Sequence, residues 1–281
     1  MKTETAIQDA IRRRVSMRSY EPRSLERADR AKLEAFFGRE QIGPLGNPVR
    51  LRLVDRETSG EPPQRLGTYG VIRGAKSFIV GAVAGAEDAC LDFGYVMEMV
   101  ILEATRLGLG TCWLGGTFRR GAFAGAMDLR PGERIPAVTP VGYPARSRSL
   151  IDRAFRLGAG SRHRKPWSEL FFDFATGEAL PARADDPYTT VLEMLRRAPS
   201  GTNRQPWRIF REGERFHLYL ARSKGYPKQK VDFQRVDMGI AMCHFELTAC
   251  ELGLAGKWRK GPPASAACSE AAEYIVTWSG S

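Results

Sequence analysis

The spacing of hydrophobic and polar residues changes several times along this chain, and each change predicts an element. Residues 6–14 (AIQDAIRRR) and 25–37 (LERADRAKLEAFF) place apolar side chains at helical spacing, with Ser24 positioned to cap the second helix. Residues 49–55 (VRLRLVD) alternate as a half-buried strand does, and 78–84 (FIVGAVA) is a continuous apolar run that predicts a buried strand. A long helix over 91–109 stops in glycines, and 136–142 (PAVTPVG) reads as another strand. The texture then changes: 173–187 (DFATGEALPARADDP) is rich in Pro, Gly, Ala and Asp and predicts a linker. Beyond it, 188–197 reads as a helix and 206–220 as two strands around a turn at Glu212–Gly213–Glu214. A second long helix over 237–253 and a last strand over 272–278 complete the pattern.

The two long helices are related. Segments 94–113 (GYVMEMVILEATRLGLGTCW) and 239–258 (GIAMCHFELTACELGLAGKW) align without a gap at an offset of 145, with eight of twenty positions identical. Leu and Ala coincide cheaply, but Gly94/Gly239, Gly108/Gly253 and Trp113/Trp258 in one register do not. The repeat predicts a duplicated fold in which each copy's long helix packs on its twin, as in a homodimer interface inside one chain. The expected division is a first half 1–172, a linker 173–187 and a second half 188–281.

Composition narrows the chemistry. The chain has 43% hydrophobic and 27% charged residues, which is globular. No stretch is apolar over the ~18 residues that a bilayer span needs. Met1 to Arg18 has no apolar core of a signal peptide, and five cysteines form no CxxC pair, so a cytoplasmic protein with reduced thiols is expected. Three scattered histidines and the lack of HExxH or GxSxG argue against a zinc site or a serine triad, so a bound cofactor would have to carry any reaction. The net charge is +11, and 34 of the 43 basic residues are Arg. A nucleic-acid partner and a solvated basic surface with an anion pocket compete as readings. The arginines are scattered and no nucleic-acid-binding signature accompanies them, which favours the second.

Three segments could carry chemistry. Arg14, Ser16 and Arg18 alternate in Arg14-Val15-Ser16-Met17-Arg18, so an extended backbone would present two charged forks and a hydroxyl on one side, which suits a phosphate. By itself such a run also fits a solvated face. Pro199-Ser200-Gly201-Thr202-Asn203-Arg204-Gln205-Pro206-Trp207 is a loop of small and amide residues that lets a flat ligand approach closely, although an ordinary capped turn has the same look. Leu114-Gly115-Gly116 follows the first long helix and could turn backbone N–H groups toward a ligand. It is not a dinucleotide fingerprint, because its glycines follow a helix instead of opening one.

Taken together, RxSxR, PSxxNxQPW and E-x4-EAT-x-LGLGTCW-x-GG (from Glu98) resemble the nitroreductase family of FMN-dependent oxidoreductases over nearly the whole chain. The resemblance is to the branch in which one chain mimics the usual homodimer. It implies an α+β, nitroreductase-like fold with two duplicated α/β halves packed as a pseudo-dimer around long central helices. It also implies that Arg14, Ser16 and Arg18 grip the flavin phosphate, joined by Arg162 and Arg164. Pro199, Ser200, Gly201, Asn203 and Gln205 would line the ring and ribityl chain, and Leu114, Gly115 and Gly116 would bring a backbone N–H to flavin N5. The first half has Gly43-Pro44-Leu45-Gly46-Asn47-Pro48 where PSxxNxQPW should stand, and the second half lacks RxSxR. One FMN site per chain, built by both halves, is therefore expected.

The resemblance implies an enzyme in which NAD(P)H reduces FMN and a small acceptor (a nitroaromatic, a quinone or another molecule) follows in ping-pong order, with no catalytic side chain and no metal. The alternative is a flavin-binding or sequestering protein without turnover. Neither a nucleic acid nor a membrane is an expected partner, and the built-in pseudo-dimer removes the usual need for a second chain.

Overall fold

The computed structural model describes residues 6–37, 41–56, 66–85, 88–146, 163–223, 231–261, 263 and 272–280. They form two sheets around two long helices. The first sheet holds β1 (Gln41–Ile42), β2 (Pro48–Asp55), β3 (Ser77–Ala84), β4 (Gly110–Thr111), β5 (Glu133–Arg134) and β6 (Val138–Gly142). Its order is β1-β2-β3-β6-β4, with β5 also on β3, and every pair is antiparallel. The second sheet holds β7 (Phe171–Asp173), β8 (Trp207–Glu212), β9 (Arg215–Leu220), β10 (Gly256–Arg259) and β11 (Glu273–Gly280), in the order β10-β11-β9-β8-β7. Each sheet repeats one plan: a hairpin, then the half's last strand beside it, then the strand that follows the long helix. β2, β3, β6 and β4 correspond in this way to β8, β9, β11 and β10.

The helices are α1 (Ile7–Arg13), α2 (Arg27–Phe37), α3 (Ala89–Arg106), α4 (Arg120–Met127), α5 (Pro187–Arg196) and α6 (Phe233–Glu251). α2 begins after Glu26, whose carbonyl accepts from Arg30 N–H, so Glu26 and not Ser24 stands at its cap. α6 begins four residues earlier than its periodicity suggests, because the Asp232 carboxylate caps it by accepting from Gln234 and Arg235 N–H at 3.1 and 3.2 Å. The predicted linker residues are ordered. Leu180 N–H donates to Phe171 O, and β7 joins the second sheet in parallel with β8.

β3 explains its unbroken apolar run by burial on both faces. Ile79 and Val83 face the core that holds both long helices, while Phe78, Val80 and Ala82 pack under α4 with Phe123 and Met127. The long helices touch backbone to backbone. A Cβ on Gly94 would stand 2.2 Å from Val236 O, and one on Gly239 would stand 1.9 Å from Leu91 O. Leu91 and Val236 are themselves 145 residues apart, so the two contacts exchange under the offset of the repeat. Reciprocity of this kind is the mark of an isologous pairing. Both helices also end alike. Gly108 (φ +79°) and Gly253 (φ +75°) turn left-handed, and the next N–H (Leu109, Leu254) donates back to Ala104 O and Ala249 O at 2.9 Å in each case.

Among the described residues, no helix is long and apolar enough to cross a membrane and no group of side chains has metal-ligand geometry. Cys90, Cys112, Cys243 and Cys250 form no disulfide.

Candidate functional site

After α1 the chain runs extended along the edge of the first sheet. Ser16 bridges Thr111 of β4 in parallel, Met17 N–H donates to Thr111 O at 2.8 Å, and Arg73 N–H donates to Arg18 O at 2.8 Å. Arg14, Ser16 and Arg18 thus alternate along one docked strand, half-buried. α1 is fixed in turn by α6, since the Glu251 carboxylate accepts from Ile7 and Gln8 N–H at the helix start. The Arg14 side chain is only 7% exposed. Its Nε makes no hydrogen bond and lies 3.7 Å from Oε1 of Glu98, which is fully buried on α3. Glu98 also accepts from Trp113 Nε1 at 2.7 Å, and its Oε1 meets His244 Nε2 at 2.9 Å.

The Gly-Gly segment begins beside this arm. Leu114 exchanges both backbone hydrogen bonds with Val138, at 2.9 and 3.0 Å, so its N–H is spent inside the sheet. Gly115 O accepts from Arg120 Nη2 at 2.9 Å, and burial pushes the Arg120 guanidinium below its ordinary value. A Cβ on Gly115 would meet the Phe233 ring at 2.7 Å, whereas Gly116 borders open space. The Gly115 and Gly116 N–H groups make no hydrogen bond to the described residues.

The loop after α5 is strained. Thr202, Asn203 and Gln205 all have left-handed φ, at 48°, 56° and 49°. Such conformations persist only where the surroundings over-determine them. Ser200 Oγ accepts from Gln205 N–H at 2.8 Å, and Ser200 O accepts from Asn203 N–H at 3.0 Å. Gly201 N–H donates to both oxygens of Asp237, at 3.0 and 3.1 Å, and burial pushes that carboxyl well above the usual range. Half-buried Pro199 leads in from α5, while Pro206 and Trp207 are core. Asn203 and Gln205 hold a neighbouring stretch of chain. Asn203 Nδ2 donates to His163 O at 2.8 Å, Lys165 N–H donates to Gln205 Oε1 at 2.9 Å, and Arg164 Nη1 donates to Asn203 Oδ1 at 2.9 Å.

Arg164 is where the segments meet. Its guanidinium is pushed down to about 10, first by burial and then by the positive charges of Arg14, Arg196 and Arg197. The charge of the first-half arm is therefore felt at the second-half loop, where Glu193 pairs with Arg196 and Arg197 at 2.7 and 3.1 Å and the cations outnumber this carboxylate, which favours a further anion. Arg162 lies outside the described residues.

Three participants escaped the sequence reading. Glu98 stands inside a quoted motif, yet its partners come from three other segments. His244 lies 146 residues from it and had no sequence signal. Asp237 had one: Asp92 is its partner at the 145 offset, two residues before the aligned window begins.

Residues 6–249 match the family model described as Putative TM nitroreductase. The chain is similar to the crystal structure of a putative nitroreductase from Thermotoga maritima, with a TM-score of 0.63 and 21% identity over 99% of this chain and 95% of that one. A nitroreductase with bound FMN from Bacteroides fragilis aligns with 52% of this chain and 92% of its own, at a TM-score of 0.40 and 15% identity. An FMN-dependent nitroreductase from Clostridium difficile aligns with 50% and 88%, at 0.38 and 15%. No curated protein matches the sequence. The family match runs from α1 into α6 and so takes in the arm, the Gly-Gly segment and the strained loop, and the chain belongs to the Putative TM nitroreductase family.

Proposed function

We propose that the protein is an FMN-dependent NAD(P)H oxidoreductase with one flavin site per chain, built where the halves 1–172 and 188–281 meet. The observation that carries this reading is the convergence of Arg14 with Arg164, which is locked to the Asn203–Gln205 loop. The residues fit a phosphate: Arg14 has a buried Nε without a hydrogen bond, and Arg164 bears the repulsion of three arginines. The reciprocal Gly94 and Gly239 contacts support an intrachain counterpart of a two-subunit site.

Arg14, Ser16, Arg18, Arg162 and Arg164 would hold the phosphate, and Pro199, Ser200, Gly201, Asn203 and Gln205 would form the wall along the ring and ribityl chain. When bound, FMN supplies hydride transfer from NAD(P)H to a small acceptor, a nitroaromatic or a quinone, in ping-pong order. Arg14 and Arg164 neutralise the phosphate in a partly dry setting, where charge-assisted bonds are strong. Arg120 clamps the Gly115 carbonyl, which leaves the Gly115 and Gly116 N–H groups free to donate to the ring edge. Phe233 covers Gly115 and keeps water from that side.

The absorption spectrum of the purified protein tests the reading. Oxidised-flavin bands that bleach on addition of NADH or NADPH are expected. A double Arg14→Ala/Arg18→Ala variant should be colourless, and stoichiometric flavin retained in it would overturn the site assignment.

A further inference from the structure

Glu98 joins the parts of the proposed site. It lies 3.7 Å from Arg14 on the arm, accepts from Trp113 before the Gly-Gly segment, and contacts His244 on α6. A buried carboxylate this close to Arg14 would normally neutralise it and compete with a phosphate. The hydrogen bonds of His244 say otherwise. Its Nδ1 faces Met194 O at 2.9 Å, an atom that can only accept, so Nδ1 carries a hydrogen and donates it. Its Nε2 faces Glu98 Oε1 at 2.9 Å, and the other Glu98 oxygen already accepts from the Trp113 indole. One hydrogen must therefore lie between Nε2 and Oε1. An imidazolium beside a carboxylate and a neutral imidazole beside a carboxylic acid both satisfy this geometry, and both sum to zero charge.

We propose that Glu98 and His244 act as a charge-neutral pair that leaves Arg14 an uncompensated cation for the flavin phosphate. They are positioning residues for that anion, and the proposal rests on the FMN reading above. No other carboxylate among the described residues is in ion-pair range of Arg14. Among the described residues, Cys243 and Glu246 on α6 and Tyr95 on α3 are titratable groups near the pair. Burial pushes all three upward, and Glu246 has a partner of its own in the Trp258 indole, which donates to it at 2.7 Å.

The test compares the affinities of the full-length apoprotein for FMN and for riboflavin, which lacks the phosphate, by quenching of flavin fluorescence. His244→Gln removes the shared hydrogen's second site and leaves the Glu98 charge to Arg14. FMN affinity should fall about tenfold or more while riboflavin affinity holds. The double variant Glu98→Gln/His244→Gln restores a neutral pair, and FMN affinity should return to within about threefold of wild type. Packing damage alone would make the double variant at least as weak as the single one. Glu98→Gln by itself keeps a neutral, nearly isosteric partner for His244 and should bind FMN like wild type. It decides the matter if His244→Gln does not fold. Unchanged FMN affinity in His244→Gln, no recovery in the double variant, or a tenfold loss in Glu98→Gln would each overturn the proposal. A wild-type protein that binds neither ligand overturns the flavin reading itself, and the proposal with it.

Discussion

The two halves hang equivalent loops on equivalent carboxylates, and the loops have gone separate ways. Asp92 on α3 accepts from Leu45 N–H, Asn47 N–H and Asn47 Nδ2, at 2.9, 2.9 and 2.7 Å. Asp237, its counterpart on α6, accepts among the described residues only from Gly201 N–H. The first loop places a glycine, Gly46 (φ +90°), at its left-handed position, whereas the second places Thr202, Asn203 and Gln205 there. The first loop is thus satisfied within its own half. The second is under-bonded to its carboxylate, strained, and tied instead to Arg164 and the basic cluster. Of the two loops, only the second carries left-handed non-glycine residues, and such strain persists only where the surroundings over-determine it.

The shared frame should break first and evenly. Gly94→Ala and Gly239→Ala each drive a methyl into a backbone carbonyl of the partner helix, and backbone cannot swing aside as a side chain can. Each should cost about 3 kcal/mol or more in urea unfolding, because overpacked cores must shift whole elements. Near-equal losses would match the reciprocity. A much smaller cost at either site would show that the two helices do not cross as equals.

The carboxylates should respond unequally. Asp92→Asn leaves one acceptor oxygen for three donors and should cost about 2–3 kcal/mol. Asp237→Asn still offers Gly201 N–H its single acceptor and should cost less than about 1 kcal/mol at acidic pH, where both side chains are uncharged. Acidity acts on both with one sign, since burial raises Asp92 too, but three hydrogen bonds pull Asp92 back where Asp237 has only Gly201. Burial raises Asp237 well above its ordinary value of 3.8, so the native state keeps a proton that the unfolded chain has released. Stability from this group is complete below 3.8 and is lost as pH climbs from there toward the raised native value. Across that window Asp237→Asn, which does not titrate, should gain on wild type by up to about 1.4 kcal/mol per pH unit. A stability difference that is flat with pH would show Asp237 to be ionised in the native protein.

Much of this was legible in the chain, for definable reasons. The long helices, the hairpins and the duplication carry periods and a fixed offset, which are local signals. The arm was legible because alternation at Arg14, Ser16 and Arg18 has meaning once the backbone is extended. What stayed hidden depends on distance in sequence. The chain places Leu114 as a ligand-facing residue and Asn203 and Gln205 as amides free to read a ring, but Val138 takes the Leu114 N–H and His163 and Lys165 take the two amides. Short β1, β4, β5, β7 and β10 exist because a neighbour pairs with them, and no period of their own announces them.

The smallest expected effect bears most directly on why the loops differ. Thr202 is β-branched and exposed, and its left-handed backbone (φ 48°, ψ 29°) costs about 1–2 kcal/mol relative to an ordinary turn. Thr202→Gly removes that strain but frees the unfolded chain, which returns about 0.5–1 kcal/mol of the gain. A net rise in stability of about 0.5–1 kcal/mol is expected, together with weaker flavin binding, because a glycine no longer holds the loop against Arg164 and the arm. Gly46→Ala in the first loop should do the reverse, losing about 1 kcal/mol and leaving flavin binding untouched. If Thr202→Gly raised stability and flavin affinity together, the strain would have no part in shaping the site, and the second loop would be only a poorly made version of the first.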